Sequence, residues 1–301
     1  MTGLIAAATL SACAHLGALK EIPEARPEFI AQIQKTRSEN FKVLTQNVAT
    51  PFPLDFKGKN KEKHESAIQE IMKEKPDFAF LQEVVSKREI QNYENLGYSV
   101  SHSPQNYVVN PSGLLILSRK KPAETQYIPY EDEGNPFFEF EQFSDMMLHK
   151  GMLIAFFPED RLAVINTHMV STYDSPASKD ETHLSQTHQF IKTIQELKMK
   201  GWKIIAGGDF NCTPKDPQYA EISKELTDIT AELGETFEEE RSGKTVKQKL
   251  DYIWSSKGEE HTLRSSVAEV LGRTKSDHNP VMAKVLIPGA ASAMVATARQ
   301  K

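Results

Sequence analysis

Ser276-Asp277-His278-Asn279-Pro280-Val281 is the stretch from which the rest of the chain can be read. A histidine stands between a carboxylate and an amide, and a proline then hands over to the apolar run Val281–Leu286. Five clusters upstream repeat the arrangement: Gln46-Asn47, Leu81-Gln82-Glu83, Asn166-Thr167-His168, Gly207-Gly208-Asp209-Phe210-Asn211 and Leu250-Asp251-Tyr252. Each lies at an end of a short apolar run, where side chains leave a buried strand for the rim of a sheet. Together they offer carboxylates for a hard cation, two imidazoles, and amides able to donate to a phosphate.

Between these clusters, strand and helix signals alternate. Phe41–Asn47, Phe78–Gln82, Gly113–Ser118, Gly151–Phe157, Leu162–Asn166, Trp202–Gly207, Leu250–Ser255 and Val281–Leu286 read as strands. Lys61–Lys75 carries Ala67, Ile68, Ile71 and Met72 at helical spacing and stops at Pro76. Thr182–Lys200 is a longer helix with Leu184, Ile191, Ile194 and Leu197 on one face, ended by Gly201. Its His183, Gln186 and His188 read either as pocket lining or as a solvated face. The periodicity alone gives an α/β chain.

Composition narrows the chemistry. The 36 basic and 41 acidic residues leave a net charge of −5, with no basic excess to neutralise a long polyanion. Lys57–Lys63 is a local basic cluster that reads as a solvated loop and helix start. The two cysteines, Cys13 and Cys212, form neither a disulfide framework nor a zinc site. Oxygen ligands are left, which suits Mg²⁺, Mn²⁺ or Ca²⁺. No serine stands in a nucleophile-elbow context, which disfavours a serine hydrolase.

The set of clusters, in this order, resembles the endonuclease/exonuclease/phosphatase superfamily over about Phe41–Leu286. The resemblance implies a DNase I-like four-layer sandwich, two packed mixed β-sheets flanked by helices, with the site at one end of the paired sheets. It implies a metal-dependent phosphoric diester hydrolase using Mg²⁺ and in-line attack of water. Glu83, Asn47 and Asp277 would serve the metal. Asp209 and Asn211 would hold the attacking water and a phosphoryl oxygen, with the glycines giving backbone room for a ligand. His168 would stabilise the charge that builds on phosphate, and His278, oriented by Asp251, would be the general base. An exported DNA or RNA endonuclease and an inositol or other phosphoester phosphatase are the enzyme alternatives. A binding module without catalysis is disfavoured because every expected residue type is present.

Within that superfamily, Asp145-Met146-Met147-Leu148-His149-Lys150-Gly151 is similar to the Asp-x4-Lys-Gly segment of neutral sphingomyelinases, which places Asp145 and Lys150 near substrate. Asn135–Phe143 carries four phenylalanines and reads either as a membrane-interface loop or as a strand burying Phe138 and Phe140. At the N-terminus, Leu10-Ser11-Ala12-Cys13 is similar to a bacterial lipobox, although Met1-Thr2-Gly3 lacks the usual basic residue. The expectation is a signal peptide over 1–12, lipidation of Cys13, a linker over 13–40, the catalytic domain over 41–288 and a disordered tail over 289–301. The protein is thus expected to be an exported monomer, a bacterial lipoprotein facing the outer membrane or periplasm or a secreted protein, that acts on phospholipid or another phosphodiester, with sphingomyelinase-like phospholipase C as the favoured activity and no stable nucleic-acid partner.

Overall fold

The computed structural model describes residues 21–23, 39–50, 58–104, 109–132, 148–171, 177–241, 243–257 and 264–287. Two six-stranded sheets dominate. The first has the order β13 (Arg264–Val270), β14 (Val281–Ile287), β1 (Glu39–Asn47), β2 (Phe78–Gln82), β4 (Leu115–Ser118), β3 (Ser99–His102). The second runs β5 (Glu124–Pro129), β6 (Gly151–Phe157), β7 (Leu162–His168), β8 (Lys203–Asp209), β12 (Asp251–Ser256), β9 (Leu226–Asp228). Each sheet holds one parallel pair, β1–β2 and β7–β8, among antiparallel neighbours. A separate hairpin pairs β10 (Phe237–Arg241) with β11 (Lys244–Gln248).

Strand periodicity explains the layering. Both faces of the central strands are covered, so their sequences are continuously apolar, and alternate residues serve different cores. Val43, Phe78, Phe80, Leu153, Ala155, Val164, Ile205 and Ile253 point between the sheets. Their neighbours Leu44, Ala79 and Leu81 pack under helices α1 (Lys59–Glu74) and α2 (Lys87–Glu94), through Ala67, Ile71, Ile90 and Tyr93. Ile154, Ile165, Ile204, Ala206 and Trp254 pack under α3 (Ala177–Met199) and lie close to α4 (Pro217–Glu225). Helix, sheet, sheet and helix form the four layers.

The strands are longer than the apolar runs suggest. β7 reaches His168 and β8 reaches Asp209, so both functional side chains sit in regular strand ends. The β10–β11 hairpin has no sequence counterpart in the pattern above, because its strand faces are polar and mostly solvated. Within the segment read as linker, Ile22 is buried against the second sheet's helical face, and Trp202 Nε1 donates to the Pro23 carbonyl at 2.8 Å. Cys13, the tail and Asn135–Phe143 lie outside the described residues. Among the described residues no helix is long and apolar enough to cross a membrane.

The glycines before Asp209 serve packing between strands. A Cβ on Gly207 would stand 2.6 Å from Cδ2 of Phe80, across the inter-sheet core. Gly208 lies at φ 144°, and a Cβ there would run into the Thr167 carbonyl of the neighbouring strand. Backbone has no means of retreat from such an overlap, whereas an aromatic ring can shift at a cost of about 1–3 kcal/mol. Gly208→Ala is therefore expected to lower the urea midpoint more than Gly207→Ala does. Phe80→Leu should recover part of the loss in the Gly207→Ala protein and none in the Gly208→Ala protein.

Candidate active site

The inter-sheet face turns polar at one end of the sandwich. Two-residue alternation carries Val43 on to Asn47, Phe80 to Gln82, Val164 to Asn166 and His168, Ile205 to Asp209, and Ile253 back to Asp251. Register then sets these residues side by side: His168 pairs with Asp209 across β7–β8, and Asp251 pairs with Asp209 across β12–β8. Asn47 and Gln82 are partners in the facing sheet. Three adjacent strands of one sheet and two of the other thus deliver six polar side chains to one mouth.

Polar groups buried this deeply must bond to one another. Gln82 Nε2 donates to Asn166 Oδ1 at 2.7 Å, and Asn166 Nδ2 donates to the carbonyls of Leu81 and Leu115, each at 2.8 Å. Asn47 Nδ2 donates to Glu83 Oε1 and to Asp209 Oδ2, both at 3.0 Å. Asp209 Oδ2 also lies 3.6 Å from Nε2 of His168 and 3.6 Å from Nε2 of His278. His278 Nδ1 meets Asp251 Oδ2 at 2.8 Å, and Thr236 Oγ1 donates to the same oxygen at 2.7 Å. Ser276 Oγ donates to the Asn47 carbonyl and accepts from the His278 amide, which anchors the histidine loop to β1. The Phe237 ring packs on the imidazole at 4.8 Å between centroids.

Lys150, just before β6, is buried with Nζ 2.9 Å from His168 Nε2 and 3.2 Å from Nδ1. Burial, then the ammonium and then His278 hold the His168 imidazole neutral, well below its ordinary range. His278 goes the other way: burial opposes its charge, yet Asp251 and Asp209 raise it to about 10. Asp209 itself is pushed up to about 7, chiefly by burial. Glu83 is raised as well, again chiefly by burial.

A family model, the Endonuclease/Exonuclease/phosphatase family, matches residues 44–278. The chain belongs to the endonuclease/exonuclease/phosphatase family. It is accordingly a phosphoric diester hydrolase of a metal-dependent family. No curated protein matches its sequence. Among solved structures, a family member from Bacteroides vulgatus aligns with a TM-score of 0.63 at 17% identity, covering 83% of this chain and 99% of that one. Sphingomyelinase C from Streptomyces griseocarneus aligns at 0.60 and 16% identity, covering 82% and 99%. A humanized TDP2 from D. rerio with 14 mutations aligns at 0.60 and 17%, covering 82% and 98%. Likeness at these identities carries the DNase I-like fold.

The mouth gathers Glu83, Asn47, Asp209, His168, His278, Asp251 and Lys150. Asp277 is half-buried, and its charge bears on both Glu83 and His278. Two residues depart from expectation. Asn47 Oδ1 is taken by the Ala49 amide at 2.9 Å, so the side chain turns nitrogen, not oxygen, toward the carboxylates. Asn211, expected to serve water or a phosphoryl oxygen with Asp209, is left-handed at φ 49°: its amide bonds to Asp209 Oδ1, and its Nδ2 donates to the Met169 carbonyl. Asp145 lies outside the described residues. On α3, His183 and Gln186 are braces: His183 Nε2 meets the Phe210 carbonyl at 2.9 Å, and Gln186 Oε1 accepts from the Val170 amide. Cys212 is a buried packing residue whose thiol burial pushes up. Gln82, Thr236 and Ser276 hold the site together; Gln82 and Ser276 stand inside the quoted clusters without an assigned role, and Thr236 adjoins the β10–β11 hairpin that the pattern did not mark.

The donor set fits a hard divalent cation. Glu83 and Asp209 are two desolvated carboxyls sharing one amide proton donor, and Asp251 Oδ1 is buried without a partner. Asp209, Asp251 and His278 bring ligand atoms within 4.8 Å of one another, though His278 Nδ1 is spent on Asp251.

These shifts predict a pH dependence of stability. Asp209, raised from 3.8 to about 7, and His278, raised from 6.5 to about 10, both bind protons more tightly when folded. Each contribution is lost as pH rises toward its folded value. His168, depressed from 6.5, opposes them only below pH 6.5. In EDTA the melting temperature should fall between pH 6.5 and 9. Excess Mg²⁺ should raise it most at the alkaline end. A flat wild-type profile in EDTA would count against this electrostatic picture.

Proposed function

We propose that the protein is a Mg²⁺-dependent phosphodiesterase of the sphingomyelinase-like phospholipase C type. The observation that carries the reaction is Asp209 set between His168 and His278, with Asp251 and Thr236 behind the second imidazole. Asp251 fixes the ring so that Nε2 faces the mouth, where it can take a proton from water. Asp209, 3.6 Å from that nitrogen, accepts a hydrogen bond from the same water and aims its lone pair at phosphorus. Lys150 and His168 stand opposite and offer positive charge and a donor to the oxygens that gain charge in the transition state. Glu83, with Asp277 beside it, would hold the Mg²⁺, which when bound neutralises charge on the phosphoryl oxygens. Asp277 is the smallest of the carboxylate contributions that keep His278 protonated, after Asp251 and Asp209, so a cation held beside it would relieve only that part of the pull.

Three features favour a lipid phosphodiester over nucleic acid. Lys150-Gly151 of the Asp-x4-Lys-Gly segment lies in the mouth, and a Cβ on Gly151 would stand 2.6 Å from the Ile128 carbonyl, so both residues of the pair have a physical reason. Beside His278, β10 carries Glu238, Glu239 and Glu240, with Lys247, Arg273 and Arg241 already paired to Glu238 and Glu239. Duplex binding draws on cations that are not spent in this way. The lipobox-like Leu10-Ser11-Ala12-Cys13 supports export and attachment to a membrane surface.

Purified protein with Mg²⁺ should release phosphocholine from sphingomyelin, and EDTA should abolish the release. Asp209→Ala and His278→Ala should each cost at least ~100-fold in kcat, on the scale of losing one general base or one charge-stabilising group. Nicking of plasmid DNA or release of inorganic phosphate from inositol phosphates, without lipid turnover, would overturn the substrate assignment. Unchanged turnover in both variants would overturn the site. For the N-terminus, mass spectrometry of protein from bacterial membranes should find a diacylglyceryl modification on Cys13, and Cys13→Ser should shift the protein to the soluble fraction. An unmodified Cys13 would remove the lipoprotein reading and leave the catalytic one standing.

A further inference from the structure

Glu83 stands in a backbone conformation that a glutamate seldom adopts. It follows β2 at φ 60°, in the left-handed region, and this turn is what swings its carboxylate toward Asn47 and Asp209. Ala49, in the adjacent loop after β1, is left-handed too, at φ 58°. Such residues persist only where their surroundings hold them. From above, Gly113 presses on Glu83, and a Cβ on Gly113 would lie 3.1 Å from the Glu83 Cα. From the helical side, Thr50 Oγ1 donates to the Glu83 carbonyl at 2.6 Å.

That hydroxyl is the last member of a buried series. His64 on α1 places Nε2 3.1 Å from Thr50 Oγ1, and its Nδ1 lies 2.9 Å from the hydroxyl of Tyr93 on α2. Thr50, His64 and Tyr93 are all essentially inaccessible to solvent. Counting protons gives the direction. A threonine hydroxyl has one hydrogen, and the Glu83 carbonyl, which can only accept, takes it. Thr50 Oγ1 must therefore accept from His64 Nε2–H. Nδ1 makes the other contact of the ring, with the hydroxyl of Tyr93, whose phenol burial keeps protonated. The result is one continuous chain that joins Tyr93, His64, Thr50 and the Glu83 carbonyl, with its last two links oriented toward Glu83. His64 is a polar residue on the face of α1 that also buries Ala67 and Ile71, three and seven positions on. None of the three side chains takes part in the chemistry described above.

We infer that Tyr93, His64 and Thr50 are positioning residues, a hydrogen-bond relay from the outer helical layer that locks the left-handed turn at Glu83 and so presets its carboxylate for the divalent cation. The inference rests on the reading of Glu83 as a cation ligand. A relay of this kind has two consequences that packing alone does not have. Cutting it weakens the cation site while the fold survives, and any side chain that restores a donor at the Nε2 position restores the site.

Mn²⁺ binding to the full-length protein, followed by electron paramagnetic resonance of the free ion, reads this without reference to turnover. Thr50→Val removes the hydroxyl at nearly constant volume, and His64→Leu removes the ring nitrogens. Each is expected to weaken Mn²⁺ binding about 5–10-fold, and the double variant should be no weaker than the singles, as for members of one chain. Thr50→Ser and His64→Gln, which keep the donors, should bind within about twofold of wild type, the spread expected of near-additive conservative changes. Glu83→Gln is the reference. If Glu83→Gln weakens Mn²⁺ binding while Thr50→Val leaves it unchanged, with or without a loss of melting temperature, the relay is packing and the inference is wrong. If Glu83→Gln also leaves it unchanged, the cation-ligand reading has failed, and the relay's role falls with it. Thr50→Val is the smaller change and decides the matter should His64→Leu fail to fold.

Discussion

Everything at the mouth depends on a carboxylate buried between two sheets. Asp209 ends a central strand of the second sheet, and its partners arrive from both sides of the sandwich: Asn47 from the first sheet, His168 from β7, and His278 from the loop before β14. Removing water from a carboxyl costs free energy unless charge or hydrogen bonds replace it. Here the replacement is shared among groups that are themselves chemically useful. The same requirement stitches the sheets together one layer deeper, where Gln82 donates to Asn166 and Asn166 donates to two strand carbonyls. The polar layer is thus both the floor of the site and the seam of the fold, and cutting one bond in it leaves a buried partner unsatisfied.

Strain clusters around this seam. Glu83, Ala49 and Asn211 are left-handed without being glycine, and each lies within two residues of a strand end that feeds the mouth. A regular strand delivers side chains at fixed positions to one face, and a left-handed residue immediately after it re-aims the next side chain. Glu83 reaches Asn47 in this way, although its strand parity differs from that of Gln82. Asn211 is turned back by the same device to tie the β8 loop to Met169.

Much of this was legible in the chain. Alternating apolar strands that end in a carboxylate, amide or imidazole define where a sheet edge opens, and the six clusters led to the family, the two-sheet architecture and the residues that meet. Other parts left no trace for physical reasons. The β10–β11 hairpin has little apolar surface, so its alternation carries no burial signal, yet it supplies Phe237 against His278. His64 lies on the buried stripe of α1, where an apolar residue is the ordinary expectation, and Met72, which fits the apolar spacing, is 59% exposed. Gly207 and Gly208 read as room for a ligand, whereas the room is filled by Phe80 and the Thr167 backbone. A motif shows which side chains are needed. It does not show which neighbours force the backbone that presents them.

Charge balance at the mouth bears on what can bind there. Four carboxyl groups, Glu83, Asp209, Asp251 and Asp277, face two cationic groups, Lys150 and His278, while burial holds His168 neutral. A phosphodiester brings one more negative charge into a site from which water is largely excluded, where like charges repel far more strongly than in bulk. The protein groups alone are therefore arranged against their own substrate. A divalent cation would correct the balance at the carboxyls of Glu83 and Asp209, which burial raises and which share the Asn47 amide. Cation and substrate then bind as a coupled pair: each makes the other's charge tolerable, and by linkage each must raise the other's affinity by the same factor.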